Sequence, residues 1–452
     1  MHPPSNARPP EDHLAKTGTP TTKWSPHAKW ARPAGQSTIR PAPKGKALNR
    51  VVVTGLGCVT PIGNTVADFR TSLFAGLTGI AAFPPYPEAP GETQGLRFTR
   101  SAFVKDFDPL QHLDSGVTTA TDRTTHFAIV AARQAALESQ LTTHYAPEKI
   151  AIIVGCACGG RQAEETETAK LYTRDARVHP LTVIRTMASS GASNISIDQK
   201  ITGPVLNIST ACSSSTHAIG LAFQMVRSGM VQAAITGGHE APLTFGFLRA
   251  WDSMRVVSHT QCRPFSADRD GMTLGEGAAM LTLETLASAQ ARNAPIYAEI
   301  VGFGSSADAS HITQPHAEGA ASAMRQALAD AHATPDEVGY ISAHGTGTQA
   351  NDTTEAAAIH QVFGPLTPNI PVSSTKSLHG HSIGASGALE ALATILALHQ
   401  GLLPANTGVT RIDPAIHLDI ILESPRKTTP KLAISNSLAF GGLNSVLAFR
   451  PI

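Results

Sequence analysis

Val205-Leu206-Asn207-Ile208-Ser209-Thr210-Ala211-Cys212-Ser213-Ser214-Ser215 joins two kinds of local pattern at a single cysteine. The first four residues are apolar and β-prone, and the residues after Cys212 are small and open a helical pattern that runs to Arg227. A strand that breaks into a helix leaves unpaired N–H groups and the positive end of the helix dipole at the turn. Cysteines in such places have thiols lowered to about 3.5–7.5 from about 8.5, which makes them nucleophiles at neutral pH. The plainer reading is a small buried core cysteine. The rest of the chain separates the two.

Strand and helix patterns alternate from Arg50 onward. β-Prone runs lie at Val51–Thr54, Ile150–Val154, Val205–Ile208, Ala233–Thr236, Met280–Leu283, Ala298–Phe303, Tyr340–Ala343 and Lys431–Ser435. Helical patterns lie at Thr124–Leu137, Ser213–Arg227, Ala320–Ala331 and Ala385–His399. This alternation predicts a layered α/β fold with mostly buried strands. Val205–Gly229 and Val372–Gly401 share one order of features: strand, Ser-Thr turn, small-residue loop, helix, glycine. That fits a fold built from two similar halves, with two helix N-termini facing one site. Val51-Val52-Val53-Thr54-Gly55-Leu56-Gly57 starts like a dinucleotide fingerprint. However, Thr60-Pro61 stands where the third glycine belongs, and no acidic residue ends a second strand at the required distance. A tight turn after the first strand is the plainer expectation.

Composition excludes several classes. Residues 1–50 hold nine Lys/Arg and two Asp/Glu, leaving 26 of the 35 basic and 32 of the 34 acidic residues to the body. The body is therefore not a nucleic-acid surface by charge. Residues 1–48 carry nine of the 31 prolines and no apolar periodicity, so a disordered basic Pro-rich extension is expected there. No run approaches the roughly 20 apolar residues of a membrane span. Five cysteines in 452 residues do not make a disulfide framework, which predicts a reducing, cytoplasmic setting. Cys156-Ala157-Cys158 lacks a second pair at zinc spacing, so no metal is expected.

Two segments place unusual polar residues after strands. In Ile341-Ser342-Ala343-His344-Gly345-Thr346-Gly347-Thr348 a strand delivers a histidine to a Gly/Thr loop, with Asn351 or Asp352 able to cap the next helix. Ser374-Thr375-Lys376-Ser377-Leu378-His379-Gly380-His381 holds a lysine and two histidines. A cysteine with histidines from separate strand ends suits acyl transfer. Asn436-Ser437-Leu438-Ala439-Phe440-Gly441-Gly442 is a glycine turn after a strand, able to offer backbone N–H groups to an oxyanion.

Together these segments resemble the elongating β-ketoacyl-acyl-carrier-protein synthases of class I/II, of the thiolase superfamily. S-T-A-C-S-S-S, H-G-T-G-T-x-x-N-D-x-x-E, S-T-K-S-x-x-G-H-x-x-G-A-S-G-A and F-G-G-x-N occur in the family's order between Arg50 and Ile452. The resemblance implies a thiolase-like duplicated αβαβα fold, with an N-terminal half over 49–295 and a C-terminal half over 296–452. It makes Cys212 the acyl-accepting nucleophile, His344 and His381 the catalytic histidines, Lys376 the supporting lysine and Glu355 its acidic partner. Thr346 and Thr348 match threonines near the malonyl carboxylate. Phe440 matches a residue that gates the malonyl entrance and shares the oxyanion hole with Cys212. His379 is incidental. Cys158 falls where the distal acyl pocket is shaped, and Leu443 stands where the glycine turn often has threonine.

The implied reaction is decarboxylative condensation of an acyl group on Cys212 with malonyl-carrier, without metal or redox cofactor. Acyl carrier protein is the implied partner, and a homodimer or a heterodimer with a related subunit the implied assembly. Gly237–Thr244 and Cys262–Ser266 are more similar to specialised relatives that make aryl polyenes or nodulation-factor acyl chains. A degradative thiolase would need a second cysteine after Cys262, and chalcone-type enzymes an Asn in place of one histidine. The alternative is a non-catalytic, chain-length-factor-like subunit, which usually lacks the cysteine.

Overall fold

The computed structural model describes residues 48–83, 95–174 and 176–452. The expected N-terminal extension lies outside the described residues, apart from Leu48.

Ten strands carry the fold: β1 (Val51–Val59), β2 (Ile150–Gly155), β3 (Val205–Ile208), β4 (Ala233–Glu240), β5 (Gly277–Thr285), β6 (Ala298–Ala307), β7 (Val338–Ser342), β8 (Pro371–Ser373), β9 (Leu432–Ala439) and β10 (Leu443–Arg450). They form one sheet in the order β8-β7-β9-β10-β6-β1-β5-β4-β2-β3, with the two residues Asp419–Ile420 added beside β8. The order is the same in both halves when each is read from its far edge. In the first half β3, β2 and β4 are mutually parallel, and β5 and β1 follow antiparallel. In the second half β8, β7 and β9 are parallel, and β10 and β6 follow antiparallel. The halves join where β1 pairs with β6 from Val51↔Ile300 to Val53↔Ala298.

Six helices complete the layers: α1 (Arg123–Ser139), α2 (Ser190–Gln199), α3 (Ser214–Arg227), α4 (Ala317–Asp330), α5 (Gln349–Phe363) and α6 (Ser386–Gln400). α1 and α2 cover the first half-sheet, α4 and α5 the second, and α3 and α6 pack between the two. This is the thiolase-like duplicated αβαβα arrangement. α6 shows why it occupies the middle: every residue from Ser386 to Leu398 is buried. A helix apolar on all faces has no side to give to water. The central core gathers Leu389, Leu392 and Leu396 of α6 with Ile219 and Phe223 of α3 and Val53 and Leu281 of the sheet. None of the described helices is long and apolar enough to cross a membrane.

The expected turn at Gly55-Leu56-Gly57 does not form, because β1 continues through it to Val59. The glycines serve the layer above. A Cβ on Gly55 would lie 2.2 Å from the Ala135 carbonyl oxygen, and one on Gly57 2.0 Å from that of Ala131, so α1 rests directly on bare backbone. The second half repeats the device, with Gly302 and Gly304 of β6 under the carbonyls of Ala327 and Ala323 in α4, at 2.2 and 2.0 Å. The matching motifs Val53-Thr54-Gly55-Leu56-Gly57 and Val301-Gly302-Phe303-Gly304 were a legible sign of duplication.

Candidate active site

The parallel strands end at one place. β3 leads to Cys212, β7 to His344, β8 to Lys376 and β9 to Phe440. Ligand sites in parallel sheets form outside such carboxyl ends, where loops are free to vary.

Cys212 lies in a one-turn 3-10 segment, Ala211–Ser213, that feeds α3. Ala211 takes a left-handed φ of 52°. Hydroxyls hold this elbow: Ser214 Oγ donates to the Ala211 carbonyl at 2.6 Å, and Ser213 Oγ to that of Thr210 at 2.8 Å. The second half has the counterpart, a turn at Ile383–Ala385 before α6, with Ile383 at φ 46°. The thiol itself departs from expectation. Burial pushes Cys212 up to about 11, against the opposing pull of the Lys376 charge and of hydrogen bonds from the Phe440 and Cys212 N–H groups. Loss of water outweighs the helix end, so the resting group is a thiol.

His344 and His381 face each other with ring centroids 5.4 Å apart, at an interplanar angle of 87°. Their protonation follows from their neighbours. The Ile383 N–H donates to His381 Nδ1 at 3.2 Å, and Ser386 Oγ lies 2.7 Å from the same nitrogen. An Nδ1 that accepts leaves the proton on Nε2, which meets no protein partner among the described residues. Lys376 Nζ lies 3.2 Å from His344 Nδ1 and donates to the His344 carbonyl at 2.6 Å. An ammonium has only donors, so His344 also carries its proton on Nε2. Burial, then the Lys376 charge, hold both imidazoles well below the ordinary histidine range. Both are neutral N–H donors at physiological pH.

The remaining contact of the Lys376 ammonium corrects an expectation. Its carboxylate partner is Glu390, on the second turn of α6. Glu355 instead clamps the backbone before the Gly/Thr loop: His344 N and Gly345 N each donate to it at 2.8 Å, and Asn436 Nδ2 at 3.1 Å. With its oxygens taken by these N–H groups, Glu355 reaches Lys376 only through space. Burial raises the Glu390 carboxyl to about 7 while Lys376 pulls it down. Sequence reasoning missed Glu390 and Asn436. The available signal for Glu390 was a lone carboxylate in the apolar run Gly387-Ala388-Leu389-Glu390-Ala391-Leu392.

A cleft of about 670 Å³ brings together Cys212, His344, His381, Thr346, Thr348 and Phe440. Thr346 and Thr348 hydroxyls lie 2.9 Å apart. Thr348, rather than Asn351 or Asp352, caps α5, accepting from Asn351 N at 3.3 Å. The Phe440 ring stacks on Trp251 at 5.8 Å and 16°. Its turn is tied to the loop at 308–316, with Gly441 N donating to the Ile312 carbonyl at 2.7 Å and Asn444 Nδ2 to Asp308 at 2.7 Å. Cys158 lies outside the cleft lining, packed with Ala157 against an apolar group that includes Phe247, Leu274 and Ile383. His379 is buried and bonded to Thr375 Oγ1 and the Gly380 carbonyl, a structural residue.

This arrangement has a buried thiol, two neutral imidazoles that face each other in the same cleft, and backbone N–H groups beside the sulfur. It can hold an acyl group covalently and stabilise negative charge on a second substrate. Comparison with known proteins agrees. The family described as "Beta-ketoacyl synthase, N-terminal domain" matches residues 48–289, and "Beta-ketoacyl synthase, C-terminal domain" matches 297–410. "3-oxoacyl-[acyl-carrier-protein] synthase 2" of Synechocystis is 39% identical over 411 residues, 89% of this chain and 98% of that protein. "Nodulation protein E" of Rhizobium meliloti is 38% identical over 405 residues, 89% of this chain and 99% of that protein. The solved structure "The ishigamide ketosynthase/chain length factor" superposes with a TM-score of 0.85 at 32% identity, over 90% of this chain and all of that one.

Proposed function

Because the chain belongs to the β-ketoacyl synthase family, we propose that its residues divide the condensation between a covalent half and an electrostatic half. The protein is an acyltransferase of the 3-oxoacyl-[acyl-carrier-protein] synthase kind. Cys212 attacks an acyl thioester; the new C–S bond forms as the carrier's C–S bond breaks, and the thiol proton leaves with the carrier. The N–H groups of Cys212 and Phe440 take the oxyanion of that step. Malonyl-carrier then enters past Phe440, its carboxylate near Thr346 and Thr348. The C–C bond to the carboxylate breaks, CO2 leaves, and the electron pair becomes an enolate on the thioester. His344 and His381 donate Nε2–H to that oxygen. The carbanion attacks the acyl-cysteine, a C–C bond forms, and the thiolate returns to Cys212 and regains a proton. The product is a 3-oxoacyl-carrier two carbons longer.

One observation carries this reading: two buried imidazoles have their Nδ1 atoms engaged, so both present Nε2–H beside Cys212. Neutral donors stabilise an enolate without protonating its carbon. Lys376, Glu390 and Glu355 position the histidines. We assign an acyl carrier protein as partner and a second copy of this chain as the assembly. β3 is an unpaired sheet edge, its Leu206 is 44% exposed, and the adjoining helices leave Ile197 at 74% and Val183 at 71% exposed. An apolar edge of this kind pairs with its own symmetry mate. The product is assigned to specialised chain elongation, on the similarity to nodulation protein E and the motifs at 237–244 and 262–266. Five free cysteines suit a cytoplasmic setting.

Incubation with acyl-carriers, followed by intact-protein mass spectrometry, tests the mechanism. An adduct present in the wild type and absent in Cys212→Ala is expected; no adduct from any carrier refutes it. Saturated products alone refute the specialised pathway. A monomer that pairs only with a related subunit refutes the homodimer.

A further inference from the structure

Two motifs stand outside this chemistry, Cys156-Ala157-Cys158 and Gly237-Gly238-His239-Glu240, and the fold brings them together. Glu240 ends β4 with no exposed surface. One carboxylate oxygen accepts from Ala157 N at 2.8 Å and from Gly384 N at 3.1 Å. The other accepts from Cys158 N at 3.0 Å and from the Cys156 thiol at 3.3 Å. The space is reserved for it: a Cβ on Gly384 would fall 2.5 Å from the first oxygen. A buried carboxylate with four donors is not core filler, since its burial is costly and every donor is needed to hold it.

The two ends of this bridge matter differently. Ala157 and Cys158 form the loop packed against the Phe247 and Leu274 apolar group, and the adjoining Cys156 N donates at 3.1 Å to the carbonyl of Ile208, the last residue of the strand that leads to Cys212. Gly384 belongs to the turn whose preceding residue, Ile383, gives its N–H to His381 Nδ1. The carboxylate thus reaches the side of Cys212 and the side of His381 at once. We infer that Glu240 is a positioning residue that sets the loop beside the acyl chain and the turn that orients His381. The inference rests on the roles proposed above for Cys212 and His381.

Glu240→Gln preserves shape and removes one acceptor. With its carbonyl toward Ala157 and Gly384, the amide turns its NH2 group against the Cys158 N–H; flipped, it breaks the bridge. Leaving a buried N–H donor without its acceptor costs about tenfold or more in the step it supports. We expect malonyl decarboxylation to fall by about that factor, acylation of Cys212 to stay within about threefold, and the product-length distribution to broaden. A soluble Glu240→Gln protein with wild-type decarboxylation and product lengths overturns the inference. Wild-type protein that forms no Cys212 adduct fails the mechanism itself, a separate outcome. If the variant is insoluble, native-state amide exchange on the wild type decides. The N–H groups of Ala157, Cys158 and Gly384 share one acceptor and should lose protection as a set; Gly384 opening alone overturns the bridge.

Discussion

Replacing His381 with alanine removes one of the two imidazole donors proposed for the enolate oxygen. The imidazole is fully buried, and its Nε2 is its one unpartnered atom among the described residues. In a dry site, one oxyanion donor is worth about 2.7–4 kcal/mol, or about 10²–10³ in rate. Malonyl decarboxylation should fall by that factor. Acyl transfer to Cys212 should fall by less than about tenfold, because the N–H groups that serve it belong to the backbone of Cys212 and Phe440. The two half-reactions are measured separately, by CO2 release and by the mass of the acyl-enzyme, with a melting curve to confirm folding. The pH dependence adds a second readout. Burial and the Lys376 charge hold His381 well below its ordinary range, so it is neutral from mildly acidic pH upward. The ratio of wild-type to His381→Ala decarboxylation should therefore be flat between about pH 6 and 9. Decarboxylation within about fivefold of wild type, or a ratio that bends near pH 6.5, would refute the neutral-donor reasoning.

Glu390→Gln leaves the Lys376 ammonium buried without a carboxylate in direct contact; breaking such a pair costs about 3–5 kcal/mol and should lower the melting temperature by several degrees. The double variant Lys376→Met/Glu390→Met should regain most of that temperature and not the decarboxylation; a double variant that regains both refutes the positioning role. Trp251→Ala removes the platform under Phe440, a stack worth about 0.5–1.5 kcal/mol, so iodoacetamide should reach Cys212 a few-fold faster; an unchanged rate counts against Trp251 holding the turn. Gly57→Ala and Gly304→Ala each drive a methyl group to 2.0 Å from a helix carbonyl. Each should lower the melting temperature by a similar few degrees, and an effect in only one half breaks the equivalence.

Local pattern made most of the strands legible, and β3 matches residue for residue because β-branched and apolar residues there end abruptly at Ser209-Thr210. β10 was missed: its Asn444 and Ser445 break the apolar run, and only pairing with β6 and β9 makes it a strand. The helix Arg161–Arg174 was missed because it buries only Ala163 and Glu167 and so shows no apolar stripe. At the site, motif order located the chemistry, and tertiary contacts then corrected it. The Cys212 thiol followed burial rather than the nearby helix end. Lys376 chose Glu390 over Glu355 because α6 passes through the molecular centre, which no local window reports.

The two elbows differ at one position. Ala211-Cys212-Ser213-Ser214 and Ile383-Gly384-Ala385-Ser386 share their left-handed first residue, their single turn and the serine that starts the helix. Where the first carries sulfur, the second carries a hydrogen atom, and a carboxylate from the other half presses against the empty place. One elbow thus presents a reactive atom and the other is a joint that fastens its own half to the other, so the scaffold is symmetric in shape while its chemistry runs one way.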